Sequence, residues 1–260
     1  ERDEAPMLYI GEKVGKGGTK VDIALDPLEG TTITAKGGEN ALSVLAMGEE
    51  DSFLHSPDIY MSKIAYGNKY KDLEIDPEDN PVNIINKFSK YSGIKTENVC
   101  VCILDRPRHN TLIKEVRSTG SRIKLIPDGD VSAIIATSIE NSGINLYMGV
   151  GGSPEGVLAA AALSCIGGKM YTKLLFEDND IFERANDMGI TDRNKIYTMN
   201  DLVKGDVMFS ATGVTDGTLL KGVNFRDNTA TTNSVVMRSK TKTIRYVDAY
   251  HDLNIKNIKF

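Results

Sequence analysis

Cysteine is scarce in this sequence, whose 260 residues contain only Cys100, Cys102 and Cys165. An odd number of cysteines without a CxxC spacing argues against a disulfide framework and against a zinc site. All three lie in apolar runs, so we expect them to be reduced core residues. This usage suits a reducing compartment and predicts a cytoplasmic protein.

Long apolar runs and blocks of like charge are also missing. No run approaches the ~18 apolar residues that a membrane span needs, and we expect no signal peptide. The net charge of -5 leaves no basic footprint for nucleic acid. We therefore predict no membrane and no nucleic-acid partner. The composition, 40% hydrophobic and 26% charged, is that of a globular protein with a sizeable core.

The order of the predicted elements indicates a layered α/β fold. Strands joined by polar turns fill the first third, beginning with a strand over Val21–Leu25. From Val99 onward, strands and helices alternate, and a long helix covers Ser153–Ile166. Such alternation argues for stacked layers of sheet and helix. We predict a single domain over residues 1–260, with a soft division between 1–96 and 97–260.

The turn that follows the first strand carries two acids. The strand delivers Asp26 to its end, and Pro27 and Gly30 force a tight turn, so Asp26 and Glu29 can aim at one point. Two carboxylates and the carbonyl of Leu28 suit Mg²⁺ or Mn²⁺. Gly30 permits close approach to a phosphate, which the next amides and the hydroxyl of Thr31 can hold. A plain strand-end turn would use the same residue types.

Two further acidic segments follow strands in the second half. In Gly151-Gly-Ser-Pro-Glu-Gly156, Ser153 is expected to cap a helix, and Glu155 lies in its first turn. Glu155 either complements the helix dipole or joins a ligand site. Asp128 and Asp130, on either side of Gly129, are either turn and cap residues or part of the same site. Ligand sites of open sheets gather beyond the carboxyl ends of strands.

A basic segment, Asp105-Arg-Pro-Arg-His109, also follows a strand. Arg106 and Arg108 suit bidentate phosphate binding, although a solvated loop would have the same charges. His109 is more plausible as a loop or capping residue than as a metal ligand. Tyr60 either bonds a phosphate or packs.

These segments together resemble the class II fructose-1,6-bisphosphatases of the GlpX type. The resemblance covers essentially the whole chain, and the order of the segments is far more specific than any one of them. The segments are APMLYIGE, DPLEGTT, SPDIYMSKIAYG, RPRHN, PDGDV, GGSPEG and FSATGVT.

The resemblance implies the layered αβαβα sugar-phosphatase fold that these enzymes share with inositol monophosphatases. It implies dependence on Mn²⁺ or Mg²⁺ and a homo-oligomer, a dimer or tetramer. The implied metal ligands are Asp26, Glu29, Leu28 and Glu155, and Thr31 is placed near the attacking water. The implied substrate contacts are Glu29, Gly30, Thr31, Tyr60, Arg106, Pro107, Arg108, Asp128, Gly129, Asp130, Gly152 and Ser153.

The family also has acids upstream of the first residue of this sequence. Glu1-Arg-Asp-Glu4 resembles the end of that acidic stretch, so we expect a preceding segment to be missing and assign Glu1 and Asp3 to the neighbourhood of the site. If the upstream acids were absent from the molecule itself, a binding protein that has lost catalysis would be the alternative.

The predicted activity is hydrolysis of the 1-phosphate of fructose 1,6-bisphosphate to fructose 6-phosphate and inorganic phosphate, a step of gluconeogenesis. The predicted mechanism has no covalent intermediate and uses Asp26, Glu29 and Thr31 in catalysis. The alternatives within the fold are a sedoheptulose-1,7-bisphosphatase and a phosphatase of inositol or sugar monophosphates. The arginine pair favours a substrate with two phosphates.

Overall fold

The computed structural model describes residues 11–256, which fold into strands, α-helices and short 3₁₀ turns. The strands are β1 (Val21–Glu29), β2 (Leu42–Glu49), β3 (Tyr60–Tyr66), β4 (Cys100–Leu104), β5 (Arg122–Ile126), β6 (Leu146–Gly152), β7 (Lys169–Leu174), β8 (Ile196–Thr198), β9 (Val207–Gly213), β10 (Asn224–Arg226), β11 (Thr229–Arg238) and β12 (Thr243–Asp252). The α-helices are α1 (Thr31–Ala35), α2 (Pro81–Ser92), α3 (Asn110–Ser118), α4 (Asp130–Ala136), α5 (Ser153–Ile166), α6 (Asn179–Asp187), α7 (Met199–Leu202) and α8 (Leu253–Lys256).

The strands form two six-stranded sheets. The first sheet has the order β1-β2-β9-β11-β10, with β12 also paired to β11, and its pairings are antiparallel. The second sheet has the order β5-β4-β6-β3-β7-β8. In it β4 runs parallel to β5 and to β6, while the pairings of β3 with β6 and β7 are antiparallel. The carboxyl ends of β4, β5 and β6 therefore meet at one edge.

Helix α5 is the layer between the two sheets. It packs against β1, β2, β9, β11 and β12 on one side and against β3, β6 and β7 on the other. From Val157 to Ile166 its residues are apolar except Ser164, as expected for a helix with little solvent-facing surface. Residues Ala159–Ala162 are fully buried. Their small side chains allow both sheets to pack closely against the same helix.

Helices α2 and α3 cover the other face of the second sheet. Asn80 caps α2, since its side-chain oxygen accepts a hydrogen bond from the Val82 amide, and Pro81 stands at the first turn. Ile84, Ile85 and Phe88 are buried on the inner side of α2, and each contributes about 1.5–3 kcal/mol by leaving water. Described from residues 11–256, the layers are thus sheet, helix, sheet and helix.

The predicted layered α/β architecture is confirmed, and the predicted single domain with a division near residue 96 stays a prediction. The strand predicted over Val21–Leu25 continues to Glu29, and the segments that were not predicted include β3, β7 and α6. Helix α3 begins at Asn110, because Pro107–His109 form a 3₁₀ turn before it.

Two other features of the described residues bear on the sequence-based expectations. The three cysteines are free and buried, as predicted. None of the helices found between residues 11 and 256 combines the length and apolar character that a membrane span requires.

The close fit of α5 gives a stability prediction. Replacing Ala160 with leucine adds three carbons to a fully buried position between two sheets. We expect Ala160→Leu to lower the free energy of unfolding by about 1–3 kcal/mol. The same substitution at the exposed Ala35 should change it by less than about 0.5 kcal/mol. Urea unfolding of both variants measures the difference, and equal stabilities would contradict this packing.

Candidate active site

The predicted site residues of the second half lie at one edge of the second sheet. Arg106–His109 follow β4, Asp128–Asp130 follow β5, and Gly151–Glu155 span the end of β6 and the start of α5. Tyr60 joins them, because it begins β3 directly opposite Gly152. Three parallel strands and one antiparallel neighbour therefore bring together segments that are far apart in the sequence.

The acidic turn of the first sheet lies at the end of β1. A bulge interrupts the pairing of β1 with β2 between Asp26 and Glu29. The carboxylate of Asp26 accepts a hydrogen bond from the Leu28 amide at 2.9 Å, which closes the turn. Gly30 follows with a φ of 92°, which a residue with a side chain rarely adopts, and the exposed Thr31 begins α1.

Glu29 is the most unusual acid of the turn because it is buried, with 3% of its surface exposed. Its Oε1 accepts a hydrogen bond from the Val131 amide at 3.3 Å, which ties the first sheet to the start of α4. Its Oε2 is buried and has no hydrogen-bond partner in the part of the chain that the structure describes. Burial, followed by the negative charge of Asp130, raises the pKa of Glu29 well above its ordinary value.

Glu155, in the first turn of α5, resembles Glu29 in the burial of its carboxylate. Its Oε2 is also buried and finds no hydrogen-bond partner between residues 11 and 256, and burial raises the pKa of this carboxyl. Lys63 opposes that rise in the pKa, while Asp130 adds to it. A side chain at Gly152 would collide with the Glu155 carboxylate, so the glycine leaves the acid its space.

These orphaned oxygens fit a bound divalent cation. A buried carboxylate oxygen without a donor costs free energy unless a cation or a hydrogen bond satisfies it, and hard oxygen ligands are what Mg²⁺ and Mn²⁺ take. Asp26 acts electrostatically on both Glu29 and Glu155. Among residues 11–256, however, no three acidic, histidine or cysteine side chains lie together closely enough to form a metal-binding group. The predicted set of Asp26, Leu28, Glu29 and Glu155 therefore stays a prediction.

The basic segment is held in place by its neighbours. Arg108 donates from Nε and Nη2 to the Val150 carbonyl, at 3.1 and 2.8 Å. Its guanidinium also lies over the ring of Tyr60, 4.6 Å from the centroid. Arg106 forms an ion pair with Asp128 at 3.7 Å. Four of the predicted substrate contacts thus form two pairs, Arg108 with Tyr60 and Arg106 with Asp128. The ring of Tyr60 packs against the guanidinium of Arg108.

Asp130 is not the exposed cap that a helix start would suggest. It is buried, and its Oδ2 forms an ion pair with the ammonium of Lys63 at 2.6 Å. The hydroxyl of Tyr147 approaches the same oxygen at 3.5 Å. Sequence reasoning missed both partners. The lysine between Met61 and Ala65 could have indicated an ion pair. A charged side chain within a central strand is buried and must be paired.

The expected cap at Ser153 is wrong. The hydroxyl of Ser153 does not bond the first turn of α5, and Gly152 occupies the cap position. Instead, Ser153 donates to the Pro57 carbonyl and accepts from the Ser56 hydroxyl at 2.7 Å. These bonds fasten the loop before β3 to the start of α5.

Four of the predicted site residues remain to be placed. Gly129, with a φ of 85°, precedes α4, and Pro107 begins the 3₁₀ turn after β4. Both lie in the segments that meet at the sheet edge. Glu1 and Asp3 fall outside the described residues.

Comparison with known proteins places the chain in a family. Residues 1–251 match the family described as bacterial fructose-1,6-bisphosphatase, glpX-encoded. A D-fructose 1,6-bisphosphatase class 2/sedoheptulose 1,7-bisphosphatase of Trichodesmium erythraeum is 39% identical, over 96% of this chain and 80% of the relative. A fructose-1,6-bisphosphatase class 2 of Haemophilus influenzae is also 39% identical, over 98% and 80%. A bifunctional relative of Prochlorococcus marinus is 40% identical, over 96% and 79%.

The chain belongs to the glpX-encoded family of bacterial fructose-1,6-bisphosphatases. The family predicted from the sequence is confirmed, and with it the class of enzyme, a hydrolase of phosphoric monoesters.

His109 is a structural residue at the edge of this site. Its Nε2 accepts a hydrogen bond from the Val150 amide at 2.8 Å, so that nitrogen carries no proton. Its Nδ1 lies 2.7 Å from the Leu104 carbonyl, which requires a proton there. The ring is therefore neutral, and burial lowers the pKa of His109 below its usual value.

This neutral ring gives a pH dependence of stability. As pH falls through about 6.5, His109 takes up a proton in the unfolded chain before it does so in the folded one. Its contribution to stability is complete above that pH and is lost as the pH falls towards the lowered pKa. Unfolding in urea with EDTA, at pH 7.5 and 5.5, should show a smaller pH effect in His109→Gln than in the wild type. Identical pH effects would contradict the neutral ring.

Proposed function

We propose that this chain hydrolyses the 1-phosphate of fructose 1,6-bisphosphate, and that its site is formed where the turn after β1 meets the sheet edge around Gly152. The observation that carries the proposal is a pair of buried carboxylate oxygens, Oε2 of Glu29 and Oε2 of Glu155, that have no hydrogen-bond partner among residues 11–256. Two such atoms beside a glycine-rich segment and two oriented arginines suit a site that holds a cation and a phosphorylated substrate together.

A bound Mn²⁺ or Mg²⁺ would supply charge neutralisation at the phosphoryl group and lower the pKa of a coordinated water. We assign its ligands to Glu29, Glu155, Asp26 and the carbonyl of Leu28. Burial favours the neutral form of the two glutamates, so they gain most from a cation nearby.

The turn after Glu29 faces the reacting phosphate in this proposal. The hydroxyl of Thr31 orients the attacking water, and the backbone around Gly30 approaches the phosphoryl oxygens, since glycine leaves room for it. Attack in line with the bond to the sugar oxygen forms the new P–O bond as the old one breaks. The sugar oxygen takes up one proton, which the attacking water supplies through solvent, and fructose 6-phosphate and inorganic phosphate leave.

The arginines bind the second phosphate in this proposal. Arg108 is already fixed by the Val150 carbonyl and by the ring of Tyr60, so less conformational entropy is lost when it binds an anion. Arg106 is oriented by Asp128 in the same way. Pro107 keeps the two side chains at a fixed spacing in the 3₁₀ turn. Gly129, Asp130, Gly152 and Ser153 complete the proposed contact surface.

A second sugar substrate is favoured by a specific observation. Two of the three relatives carry sedoheptulose 1,7-bisphosphatase in their names as well. A substrate panel of the two sugar bisphosphates and an inositol monophosphate, scored by release of inorganic phosphate, separates these activities. Binding without release on any substrate would favour the non-catalytic alternative. A homo-oligomer, a dimer or tetramer, and a cytoplasmic location are also part of the proposal.

The first test removes one proposed metal ligand. Glu29→Gln keeps the side chain's shape and an oxygen for the Val131 amide but removes the charge. We expect kcat to fall about 100-fold or more with Mn²⁺ present, while the fold is retained. The matched control is Glu39→Gln, since Glu39 is exposed and should leave kcat unchanged. Full metal-dependent activity in Glu29→Gln would refute the assignment.

The second test concerns the far phosphate. We expect Arg108→Ala to raise KM for fructose 1,6-bisphosphate about 10-fold or more, because a hydrogen bond to a charged group is worth about 1.5–3 kcal/mol. Its preference for the bisphosphate over fructose 1-phosphate should shrink by a similar factor. Arg117→Ala, at an exposed position on α3, is the control. An unchanged preference in Arg108→Ala would place the second phosphate elsewhere.

A further inference from the structure

Lys63 occupies a position where a charge is expensive. It lies in the middle of β3, with β6 and β7 paired on its two sides, and its side chain is completely buried. Its neighbours on the same face of the strand, Met61 and Ala65, belong to the core between the sheets. Taking an ammonium out of water is costly, so a lysine persists here only with a close partner.

That partner is Asp130, and it is held by two donors at the same oxygen. The Lys63 ammonium lies 2.6 Å from Oδ2, and the Tyr147 hydroxyl lies 3.5 Å from it. The donors come from adjacent strands, β3 and β6, so the carboxylate is fixed relative to the sheet rather than to its own helix. The orientation of its other oxygen, Oδ1, is fixed with it.

The glycines of the segment around β6 and α5 make room for this pair. A side chain at Gly151 would collide with Oδ2 of Asp130, and its Cβ would lie 3.1 Å from Nζ of Lys63. A Cβ at Gly156 would lie 3.3 Å from Cε of Lys63 and 2.6 Å from the sulfur of Met61. The glycines at positions 151 and 156 of GGSPEG thus leave room for Asp130, for Met61 and for the side chain of Lys63.

We propose that Lys63 is a positioning residue of the phosphatase reaction, which presents Asp130 to the sugar phosphate and offsets the negative charge gathered around Asp130 and Glu155. The proposal rests on the function proposed above, in which Asp130 contacts the substrate. A purely structural ion pair would not need to adjoin the Asp128–Asp130 segment, nor would its lysine act on the carboxyl of Glu155, as Lys63 does.

The test compares four variants in the full chain with saturating Mn²⁺: Lys63→Met, Asp130→Asn, the double variant, and Lys173→Met. Lys173, on the neighbouring strand β7, is the control. Its ammonium pairs with the carboxylate of Glu78 at the protein surface. We measure kcat and KM for fructose 1,6-bisphosphate and the melting temperature without metal. If Lys63 acts through Asp130, Lys63→Met and Asp130→Asn raise KM by similar factors, on the order of 10.

The double variant separates positioning from stability. Lys63→Met leaves a buried carboxylate unpaired and should lower the melting temperature by on the order of 10 °C. Neutralising both partners should recover most of that loss, while KM stays as high as in Asp130→Asn alone. This comparison holds even if Lys63→Met is too unstable to assay. The control should match the wild type in both measurements.

The results that overturn the proposal are distinct from those that overturn the function. A wild-type KM in folded Lys63→Met, with a raised KM in Asp130→Asn, refutes the role of Lys63 and leaves the function intact. A double variant with KM far above Asp130→Asn refutes action through Asp130. A wild-type KM in Asp130→Asn refutes both its contact with substrate and the proposal. Absence of phosphate release by the wild type refutes the function itself.

Discussion

The site depends on two buried carboxylates, each with one oxygen that no group between residues 11 and 256 satisfies. Glu29 ends β1 in the first sheet and Glu155 lies in the first turn of α5, yet each has a buried carboxylate oxygen without a hydrogen-bond donor among residues 11–256. Such an arrangement is unfavourable in a protein interior unless a cation joins it. These buried oxygens therefore lower the stability of the protein, and the same oxygens give the site its affinity for a divalent ion and a phosphorylated substrate.

Around these acids the chain uses fixed groups rather than flexible ones. Lys63 and Tyr147 fix Asp130, while the Val150 carbonyl and the Tyr60 ring fix Arg108. The parallel strands β4, β5 and β6 supply the edge from which these segments emerge. Preorganised charge costs no reorganisation when a transition state forms, which is how such sites accelerate phosphoryl transfer.

Much of this arrangement could be predicted from the sequence because local signals agreed with the fold. The long helix predicted over Ser153–Ile166 is α5, and the strand predicted over Val21–Leu25 is the first part of β1, which continues to Glu29. Lys63 was missed because its partner is 67 residues away and no local pattern reveals it. Ser153 was misjudged because its hydroxyl bonds a distant loop instead of its own helix, a tertiary contact that overrides the capping preference.

The most direct measurement is anomalous diffraction at the manganese edge from crystals of the protein soaked with Mn²⁺. The account predicts a peak in contact with both Oε2 of Glu29 and Oε2 of Glu155, the two buried carboxylate oxygens that lack partners among the described residues. A fully active, manganese-dependent enzyme whose peaks all lie away from these two atoms would contradict it.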